Sequence, residues 1–378
     1  MMAKLLEGVA VEWKALGEVI TLEYGKTLKK NERDVGHFPV LGSNGRIGFH
    51  SSYLIEGPCI IIGRKGSAGA VVWEEKNCYP IDTTFFVKNQ NNQILLKYLF
   101  YKFQTLNLTV DKQDGGVPGL NRNNVYKIKI PIPPLEIQAE IVRILDTFTE
   151  LTAELTAELT ARKKQYTYYR DQLLTFEEGQ VEWKSLGEVC HIASGGTPSK
   201  AKNEFWVNGD VPWLKSESCN NEPVYFAGNF ITQMGLKNSS AKILGKDTTL
   251  IALVGATIFK TAYLEFEATT NQNIASIKSM NSDTLNDKFV FYYLTNLYNE
   301  LKFKMRNYGM LNLTTLRQFQ IPIPPLTEQA RIVAILDKFD ALTNSITEGL
   351  PREIELRKKQ YEYYREMLLS FPKAEVTQ

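Results

Sequence analysis

The stretch IPIPPLEIQAEIVRILDTFTELT at residues 130–152 decides the architecture of this chain, because it returns as IPIPPLTEQARIVAILDKFDALT at residues 321–343. Two more stretches are duplicated: RKKQYTYYRDQLLTF (162–176) returns as RKKQYEYYREMLLSF (357–371), and VEWKALGEV (11–19) returns as VEWKSLGEV (181–189). Between these near-identical stretches lie inserts of almost unrelated sequence, at 20–129 and 190–320. A constant framework with two variable inserts indicates two different binding domains, each joined to one copy of a repeated framework.

The first repeat predicts one long helix, from residue 136 to about residue 176. No Gly or Pro interrupts this stretch, and its apolar residues recur at spacings of three and four. A helix of ~40 residues is roughly 60 Å long and needs a partner for its apolar seam. The second repeat carries the same seam, Ile346 included, so the two helices are expected to pair as an antiparallel coiled coil.

The two helices differ near their middles. The tandem unit TAELTAEL (152–159) gives the first helix a stutter, and it either sets the helix length in four-residue steps or is simply helix-forming filler. The second helix has four additional residues here. Its Gly349 and Pro351 predict a break near Leu350, with Pro351 as the first residue of a new helical segment.

The inserts contain short β-rich runs, for example at 59–63, 70–73 and 84–87, and helical stretches at 94–107 and 287–304. PIPPL before each long helix predicts an extended, rigid lead-in. The predicted fold class is α+β: two globular domains joined by two long antiparallel helices, in a pseudo-twofold, circularly organised arrangement that places Met1 near Gln378. The predicted domains are a first globule at 1–130, a first spacer helix at 131–176, a second globule at 177–320, and a second spacer helix with a C-terminal tail at 321–378.

Bulk composition is that of a globular protein, with 43% hydrophobic and 23% charged residues. No apolar run approaches the ~20 residues of a membrane span and no signal peptide opens the chain, so a cytoplasmic location is expected. The four cysteines lack metal-ligand spacing and are expected to be reduced, packed thiols. Net charge is +5 over residues 1–130 (17 basic, 12 acidic) and zero over 177–320 (14 and 14). Any contact to nucleic acid must therefore come from local clusters.

Catalytic motifs are missing from the sequence. GKT at 25–27 lacks the first glycine of a phosphate loop, because Ile20 occupies that position. GRKGSAG at 63–69 has the wrong spacing for a dinucleotide fingerprint and predicts a turn between strands. His37, His50 and His191 form no metal-binding motif and are expected on the surface or in loops. With neither an NPPY-type motif nor a Pro-Cys nucleophile present, we expect no catalytic residue and no metal site.

Polar and basic residues beside glycines suit contacts to DNA, since Lys and hydroxyl groups bind phosphates while Asn, Gln and Arg pair with base edges. In the first insert the candidates are Lys26, Thr27, Lys29, Lys30, Asn44, Arg46, Arg64, Lys65, Ser67, Asn121, Arg122 and Asn123. In the second insert they are Thr197, Ser199, Lys200, Lys202, Lys215, Ser216, Thr257, Lys260, Asn271, Gln272, Asn273 and Asn312. The alternative for each is a solvated surface residue or a cap, above all for Asn121 and Asn312, which precede short helices.

The duplicated IPIPPL…Q…IV.ILD.F block and the RKKQY.YYR helix resemble those of the DNA specificity subunits of type I restriction-modification systems, and the TAEL units resemble one subfamily of them. The resemblance covers essentially the whole chain. It implies a non-catalytic, sequence-specific subunit for double-stranded DNA, in which each recognition domain binds one half of a bipartite site and the helices set the gap. The unequal inserts predict an asymmetric site.

The resemblance also implies partners: two modification subunits held by this chain, with restriction subunits around them. S-adenosylmethionine, ATP and magnesium would belong to those subunits and no cofactor to this chain. Candidate contacts to the modification subunits are Arg162, Lys163, Lys164, Arg357, Lys358 and Lys359, for which a solvated charged face is the alternative. Two other classes stay open, a coiled-coil scaffold with protein-binding globules and a self-contained DNA enzyme.

Overall fold

The computed structural model describes residues 5–108, 110–111, 119–177, 179–305, 309–345 and 348–372. The seam residue Ile346, and Met1 and Gln378, which were expected to be neighbours, are outside these ranges. The first half of the chain forms the strands β1 (Glu12–Ala15), β2 (Ile20–Tyr24), β3 (Phe38–Gly42), β4 (Gly45–His50), β5 (Cys59–Gly63), β6 (Val71–Glu74), β7 (Tyr79–Pro80), β8 (Thr84–Asn89), β9 (Val110–Asp111), β10 (Gly119–Leu120) and β11 (Lys129–Ile132). Its helices are α1 (Leu16–Val19), α2 (Leu96–Thr105), α3 (Arg122–Tyr126) and α4 (Leu135–Leu173).

The second half repeats this order with a longer insert. Its strands are β12 (Glu182–Ser185), β13 (Cys190–Ser194), β14 (Val211–Leu214), β15 (Glu222–Val224), β16 (Phe230–Ile231), β17 (Thr249–Ala252), β18 (Thr261–Leu264), β19 (Thr269–Thr270), β20 (Ile274–Ser279) and β21 (Gln320–Ile323). Its helices are α5 (Leu186–Val189), α6 (Gln233–Lys237), α7 (Asp287–Asn296), α8 (Tyr298–Lys304), α9 (Leu313–Arg317), α10 (Leu326–Thr343) and α11 (Gly349–Leu368). The α+β prediction is confirmed, although the single helix expected at 287–304 is two helices, α7 and α8.

The chain divides into two compact units, Met1–Thr156 with Glu353–Gln378 (unit 1) and Ala157–Arg352 (unit 2). In unit 1, α4 meets α11, and the rings of Phe148 and Tyr364 stack with centroids 5.3 Å apart. In unit 2, α4 meets α10, and Tyr166 stacks on Phe339 at 5.9 Å. In each unit α4 thus packs against a helix of the second repeat, which is the pairing that the two apolar seams predict.

Each unit is built on one main sheet. In unit 1 the strand order is β2-β8-β5-β6, all antiparallel, beside a smaller sheet β4-β3-β7; in unit 2 the main sheet is β13-β20-β17-β18-β15, beside β16-β14-β19. The run Cys59–Gly63 is buried along its whole length, because Ile60 and Ile62 pack with α2 while Cys59 and Ile61 pack against Leu41 of the smaller sheet. Burial on both faces explains why this strand is continuously apolar rather than alternating.

The framework stretches form the same strand pair and the same glutamine hydrogen bonds in the two units. The VEWK strand β1 pairs antiparallel with the IPIP strand β11, with Trp13 opposite Pro131, and β12 pairs with β21 with Trp183 opposite Pro322. The side chain of Gln138 is fully buried; its amide donates to the carbonyls of Gln93 and Pro133 and accepts from the Leu95 amide. Gln329 repeats all three bonds with Thr284, Pro324 and Asn286. The first two residues of PIPPL therefore end a strand, and its leucine begins a helix whose first turn is held by a buried glutamine.

The predicted break in the second long helix is confirmed. α10 ends at Thr343 and α11 begins at Gly349, so Pro351 is the third residue of the new segment and not the first, as was predicted. Gly349 has φ +74°, and a Cβ built there would lie 2.3 Å from the carbonyl oxygen of Ala341, so this position requires glycine. α4, by contrast, runs unbroken through the TAEL units.

The cysteine prediction is confirmed, since Cys59, Cys78, Cys190 and Cys219 are all free and buried. Burial raises the pKa of the Cys190 and Cys219 thiols to about 12, which keeps both protonated and unreactive. The expectation for His50 was wrong: its ring is 8% exposed at the end of β4, where Nδ1 accepts from the Asp34 amide. His37 and His191 are exposed as predicted. Among the described residues, no helix is long and apolar enough to cross a membrane.

Candidate nucleic-acid interface

One end of each main sheet gathers loops that are distant in sequence. We call these the loop end of unit 1 (residues 24–30, 42–46, 63–70, 80–84 and 119–123) and the loop end of unit 2 (194–202, 214–221, 253–260, 270–274 and 309–313). They lie together because β2, β8 and β5 alternate in direction, so the end of β2, the start of β8 and the end of β5 share one edge. In unit 2, β13, β20 and β17 do the same.

Backbone hydrogen bonds hold the two loop ends in the same way despite their unrelated sequences. In unit 1 they run from Gly25 N to Thr84 O (3.2 Å), Lys26 N to Pro80 O (3.1 Å), Ile81 N to Leu41 O (2.9 Å), Arg64 N to Thr83 O (2.8 Å) and Leu120 N to Arg64 O (2.9 Å). In unit 2 they run from Gly195 N to Ile274 O (3.2 Å), Gly196 N to Thr270 O (2.8 Å), Asn271 N to Leu214 O (2.9 Å), Leu253 N to Asn273 O (2.8 Å) and Leu311 N to Leu253 O (2.8 Å). The loop scaffold is thus duplicated even where side chains are not.

A glycine at the first turn makes this scaffold possible. A Cβ at Gly25 would lie 2.2 Å from the carbonyl oxygen of Ile81, and one at Gly195 would lie 2.2 Å from Oγ1 of Thr270. Both contacts are shorter than any real Cβ contact, so the chain can pass under the neighbouring loop only as glycine.

Most predicted residues of the first insert reach the loop end of unit 1. Exposed side chains there include Lys26, Thr27, Lys29, Lys30, Asn44, Lys65 and Ser67. Lys29 and Arg46 form ion pairs within the protein: Lys29 Nζ lies 3.8 Å from Oε1 of Glu32, and Arg46 bonds at 3.2 Å to Glu74, whose side chain is 9% exposed. Arg46 therefore neutralises a buried carboxylate, a structural task that the sequence did not indicate.

The two asparagines flagged as caps do cap helices. Asn121 accepts from the Asn123 amide at the start of α3, and Asn312 accepts from the Thr315 amide at the start of α9. These positions are equivalent in the two repeats, LNRNN and LNLTT, so the cap belongs to the framework. Asn123 is exposed on the first turn of α3.

Arginines and a tyrosine form the centre of the loop end of unit 1. Tyr24, the last residue of β2, is 50% exposed, and the guanidinium carbons of Arg64 and Arg122 lie 5.2 and 5.3 Å from its ring centroid. The Arg64 side chain donates from Nε and Nη2 to the carbonyl oxygen of Asp82, at 3.1 and 2.7 Å. Sequence reasoning missed Tyr24 and Asp82; a tyrosine directly before the loop glycine was the available signal.

Amides and hydroxyls form the centre of the loop end of unit 2. Thr197 donates to Oε1 of Gln272, and Oδ1 of Asn271 accepts from the Asn273 amide. Thr257 donates to the Ser216 carbonyl, while Lys260 Nζ lies 3.5 Å from Oδ1 of Asn220. The exposed basic residues Lys200, Lys202 and Lys215 border this cluster with Ser199, whose carbonyl accepts from the Trp206 indole. The predicted residues of the second insert are therefore also brought together.

Comparison with known proteins identifies the architecture. The model of the type I restriction modification DNA specificity domain matches the chain twice, at residues 9–162 and 179–356. The chain belongs to this family. The specificity subunit of the type I restriction enzyme EcoR124I/EcoR124II of Escherichia coli is 40% identical over 394 residues, covering 98% of this chain and 97% of that protein.

Solved structures show that this specificity-family chain has the fold of its relatives. A type I S subunit from M. genitalium aligns over 97% of this chain and 98% of its own, with a TM-score of 0.64 and 16% sequence identity. A chain from a structural study of type I complex assembly aligns over 96% and 98%, with a TM-score of 0.58 and 18% identity. At these identities the likeness concerns the fold alone.

The partner-binding candidates of this family member repeat one helical arrangement. Arg162 bonds to Glu158 and Gln165, and Arg357 bonds to the equivalent Glu353 and Gln360. Lys163, Lys164, Lys358 and Lys359 are exposed, and Lys359 bonds to Glu355 at 2.6 Å. One turn further along each helix, Tyr168 and Tyr363 are 62% and 64% exposed. This repeated exposed tyrosine was not among the predicted site residues.

Proposed function

We propose that this chain is the DNA specificity subunit of a type I restriction-modification complex and that each loop end binds one half of an asymmetric bipartite site in double-stranded DNA. One observation carries the proposal: the same loop scaffold occurs twice, and it presents guanidinium groups and an aromatic ring in unit 1 but amides and hydroxyls in unit 2. A scaffold that is constant while its side chains vary suits direct recognition of different bases.

Catalysis and its cofactors belong, in this proposal, to partner subunits. The chain holds two modification subunits, with restriction subunits added around them, and S-adenosylmethionine, ATP and magnesium bind to those subunits. The exposed basic residues Lys163, Lys164 and Lys358 and the repeated tyrosines Tyr168 and Tyr363 support two equivalent docking faces for two copies of one partner. Because the framework surfaces are duplicated, they suit two identical partners. The unequal inserts suit an asymmetric DNA site.

The unbroken helix α4 is proposed to set the gap between the half-sites. One more TAEL unit adds four residues, which lengthens the helix by ~6 Å and turns it by only ~40° beyond a full turn, so the apolar seam stays in register. At ~3.4 Å per base pair the preferred gap would widen by one or two base pairs. Methylation mapping with and without the added unit tests this, and an unchanged gap contradicts the ruler.

Genome-wide methylation mapping tests the main proposal. Cells that express the cognate modification subunit with this chain should methylate one bipartite sequence, and cells lacking either protein should not. Exchanging residues 20–129 for the matching insert of the Escherichia coli relative should change one half of that sequence only. Exchanging residues 190–320 is the matched control and should change the other half.

The two rival classes give different outcomes. A scaffold that binds only proteins predicts no sequence-specific methylation or DNA binding, with or without the modification subunit. A self-contained DNA enzyme predicts methylation or cleavage by the purified chain alone. Incubating the purified chain with DNA, S-adenosylmethionine and magnesium separates this second class from the proposal, which expects no modified or cut product.

A further inference from the structure

We infer that the half-site bound by unit 1 contains a guanine whose major-groove edge is bound by Arg64, with Tyr24 and Arg122 positioning that guanidinium. This inference rests on the proposed function and adds to it the base and the residue. Tyr24, Arg64 and Arg122 come from β2, the loop after β5 and the start of α3. Only the fold brings them to one ring.

The Arg64 guanidinium is fixed in orientation before any ligand arrives. Two of its nitrogens, Nε and Nη2, donate to the single carbonyl oxygen of Asp82 at 3.1 and 2.7 Å, which sets the plane of the group. A guanidinium has five N–H donors, so the Nη1 hydrogens and the second Nη2 hydrogen stay available on its outer edge. That edge offers two parallel donors in a rigid fork.

The positive charge of this cluster has no counter-ion within the described part of the chain. No described carboxylate forms a salt bridge with Arg64 or Arg122, whereas the nearby Arg46 pairs with Glu74. Arg122 Nη1 is 3.4 Å from the carbonyl oxygen of Leu22, a neutral acceptor. Tyr24 faces both guanidinium groups and is itself braced by Phe85, with ring centroids 5.0 Å apart. Because two positive charges lie beside one partly exposed ring, the cluster is suited to bind a hydrogen-bond acceptor from another molecule.

Two features of DNA could supply that acceptor, the N7 and O6 atoms of guanine or a backbone phosphate. A phosphate attracts any cation and needs no fixed plane, whereas N7 and O6 require two coplanar donors, which is the usual arginine–guanine contact. The two hydrogen bonds from the Arg64 guanidinium to the Asp82 carbonyl oxygen hold Arg64 in the geometry that guanine needs. The observations therefore favour the base over the phosphate.

The three equivalent positions of unit 2, all among the described residues, carry different side chains. Ser194 ends β13 where Tyr24 ends β2, Leu253 follows β17 where Arg64 follows β5, and Leu313 begins α9 where Arg122 begins α3. The duplicated scaffold thus carries two apolar side chains and a hydroxyl at the three equivalent positions. The guanine contact is expected in one half-site only, which gives the test an internal control.

The test uses the complex of this chain with its modification subunit and duplexes carrying the methylation site mapped as above. Each guanine is replaced in turn by 7-deazaguanine, which removes N7 and keeps base pairing. One replacement in the unit 1 half-site should weaken binding roughly 10- to 100-fold. For an Arg64→Ala complex that same replacement should have no further effect, while replacements in the other half-site should act as before.

Arg64→Lys and Lys76→Ala complete the design. Lysine keeps the charge but not the fork, so Arg64→Lys should lose the preference for guanine while keeping a fold confirmed by thermal unfolding. Lys76 is exposed beyond β6, at the opposite end of the sheet, and Lys76→Ala should leave every 7-deazaguanine effect unchanged.

Two results would overturn the inference. If methylphosphonate at one phosphate abolishes the effect of Arg64→Ala while all 7-deazaguanine duplexes bind normally, Arg64 contacts the backbone. If Arg64→Ala changes no duplex and the complex still methylates its bipartite site, the inference fails and the proposed function stands. A third result, equal binding to duplexes with and without the mapped site, would contradict the proposed function as well.

Discussion

The loop end of unit 1 and that of unit 2 share five backbone hydrogen bonds but carry different side chains at equivalent positions. Five hydrogen bonds repeat between them to within 0.3 Å. Yet Tyr24, Arg64 and Arg122 in the first correspond to Ser194, Leu253 and Leu313 in the second. The difference teaches that backbone pairing preserves the position of these loops, while the side chains are free to change, because a main-chain bond does not depend on residue type. Two kinds of position are exceptions. At the buried glutamines the scaffold depends on a side chain, and at the loop glycines there is no room for one.

The largest effect is expected where the framework relies on a buried side chain. Gln138→Ala and Gln329→Ala each leave two carbonyls and one amide without their partner, so each should destabilise its own unit by about 3 kcal/mol or more. Denaturant unfolding with hydrogen exchange resolved by segment measures this. If only one of the two substitutions lowers the free energy of unfolding, the equivalent glutamines do not contribute equally to the stability of their units.

The next effect concerns the glycines under the loops. Gly25→Ala and Gly195→Ala place a methyl group 2.2 Å from a neighbouring oxygen, and overpacking of this kind costs about 1–3 kcal/mol. Because the clash lies inside one loop end, each variant should weaken contacts to its own half-site and spare the other. Methylation mapping at mixed sites, in which one half-site is altered, shows which half-site each variant recognises less well. Equal loss of recognition at both half-sites would argue against separate loop ends.

A smaller effect separates capping from DNA contact. Asn121→Ala and Asn312→Ala each remove one cap bond and should lower stability by about 1 kcal/mol without changing base preference. Asn→Asp keeps the cap and serves as the matched control, with unfolding free energy and half-site preference as readouts. A changed preference in both Ala and Asp variants would restore these residues to the DNA interface.

The smallest effect on folding is expected at the repeated arginines of the long helices. Arg162→Ala and Arg357→Ala each remove one exposed i,i+4 ion pair, worth about 0.3–0.5 kcal/mol. Both should nonetheless weaken assembly with the modification subunit to the same extent, since their surroundings are duplicated. Titration of labelled modification subunit measures the affinity, and unchanged affinity for both would leave these residues as a solvated face.

The sequence by itself determined the family, the two long helices and the break between α10 and α11. These rest on local rules: apolar spacing of three and four specifies a helix face, and a glycine with a nearby proline ends one. The strands predicted at 59–63 and 84–87 and the turn predicted at 63–69 follow from the same kind of rule, and the second strand is observed at 84–89. The boundaries of the four predicted domains stay a prediction.

Where the predicted residues lie, and which partners they have inside the protein, depends on the tertiary structure. Strand order brings residues 24, 64, 82 and 122 to one place, and no local pattern encodes a meeting across such sequence separations. The same long-range pairing diverts Arg46 to a buried glutamate, buries His50 and commits Asn121 and Asn312 to caps. Periodicity specifies which residues face the core, whereas a binding surface depends on which strands become neighbours, and that choice is settled by packing of the whole unit.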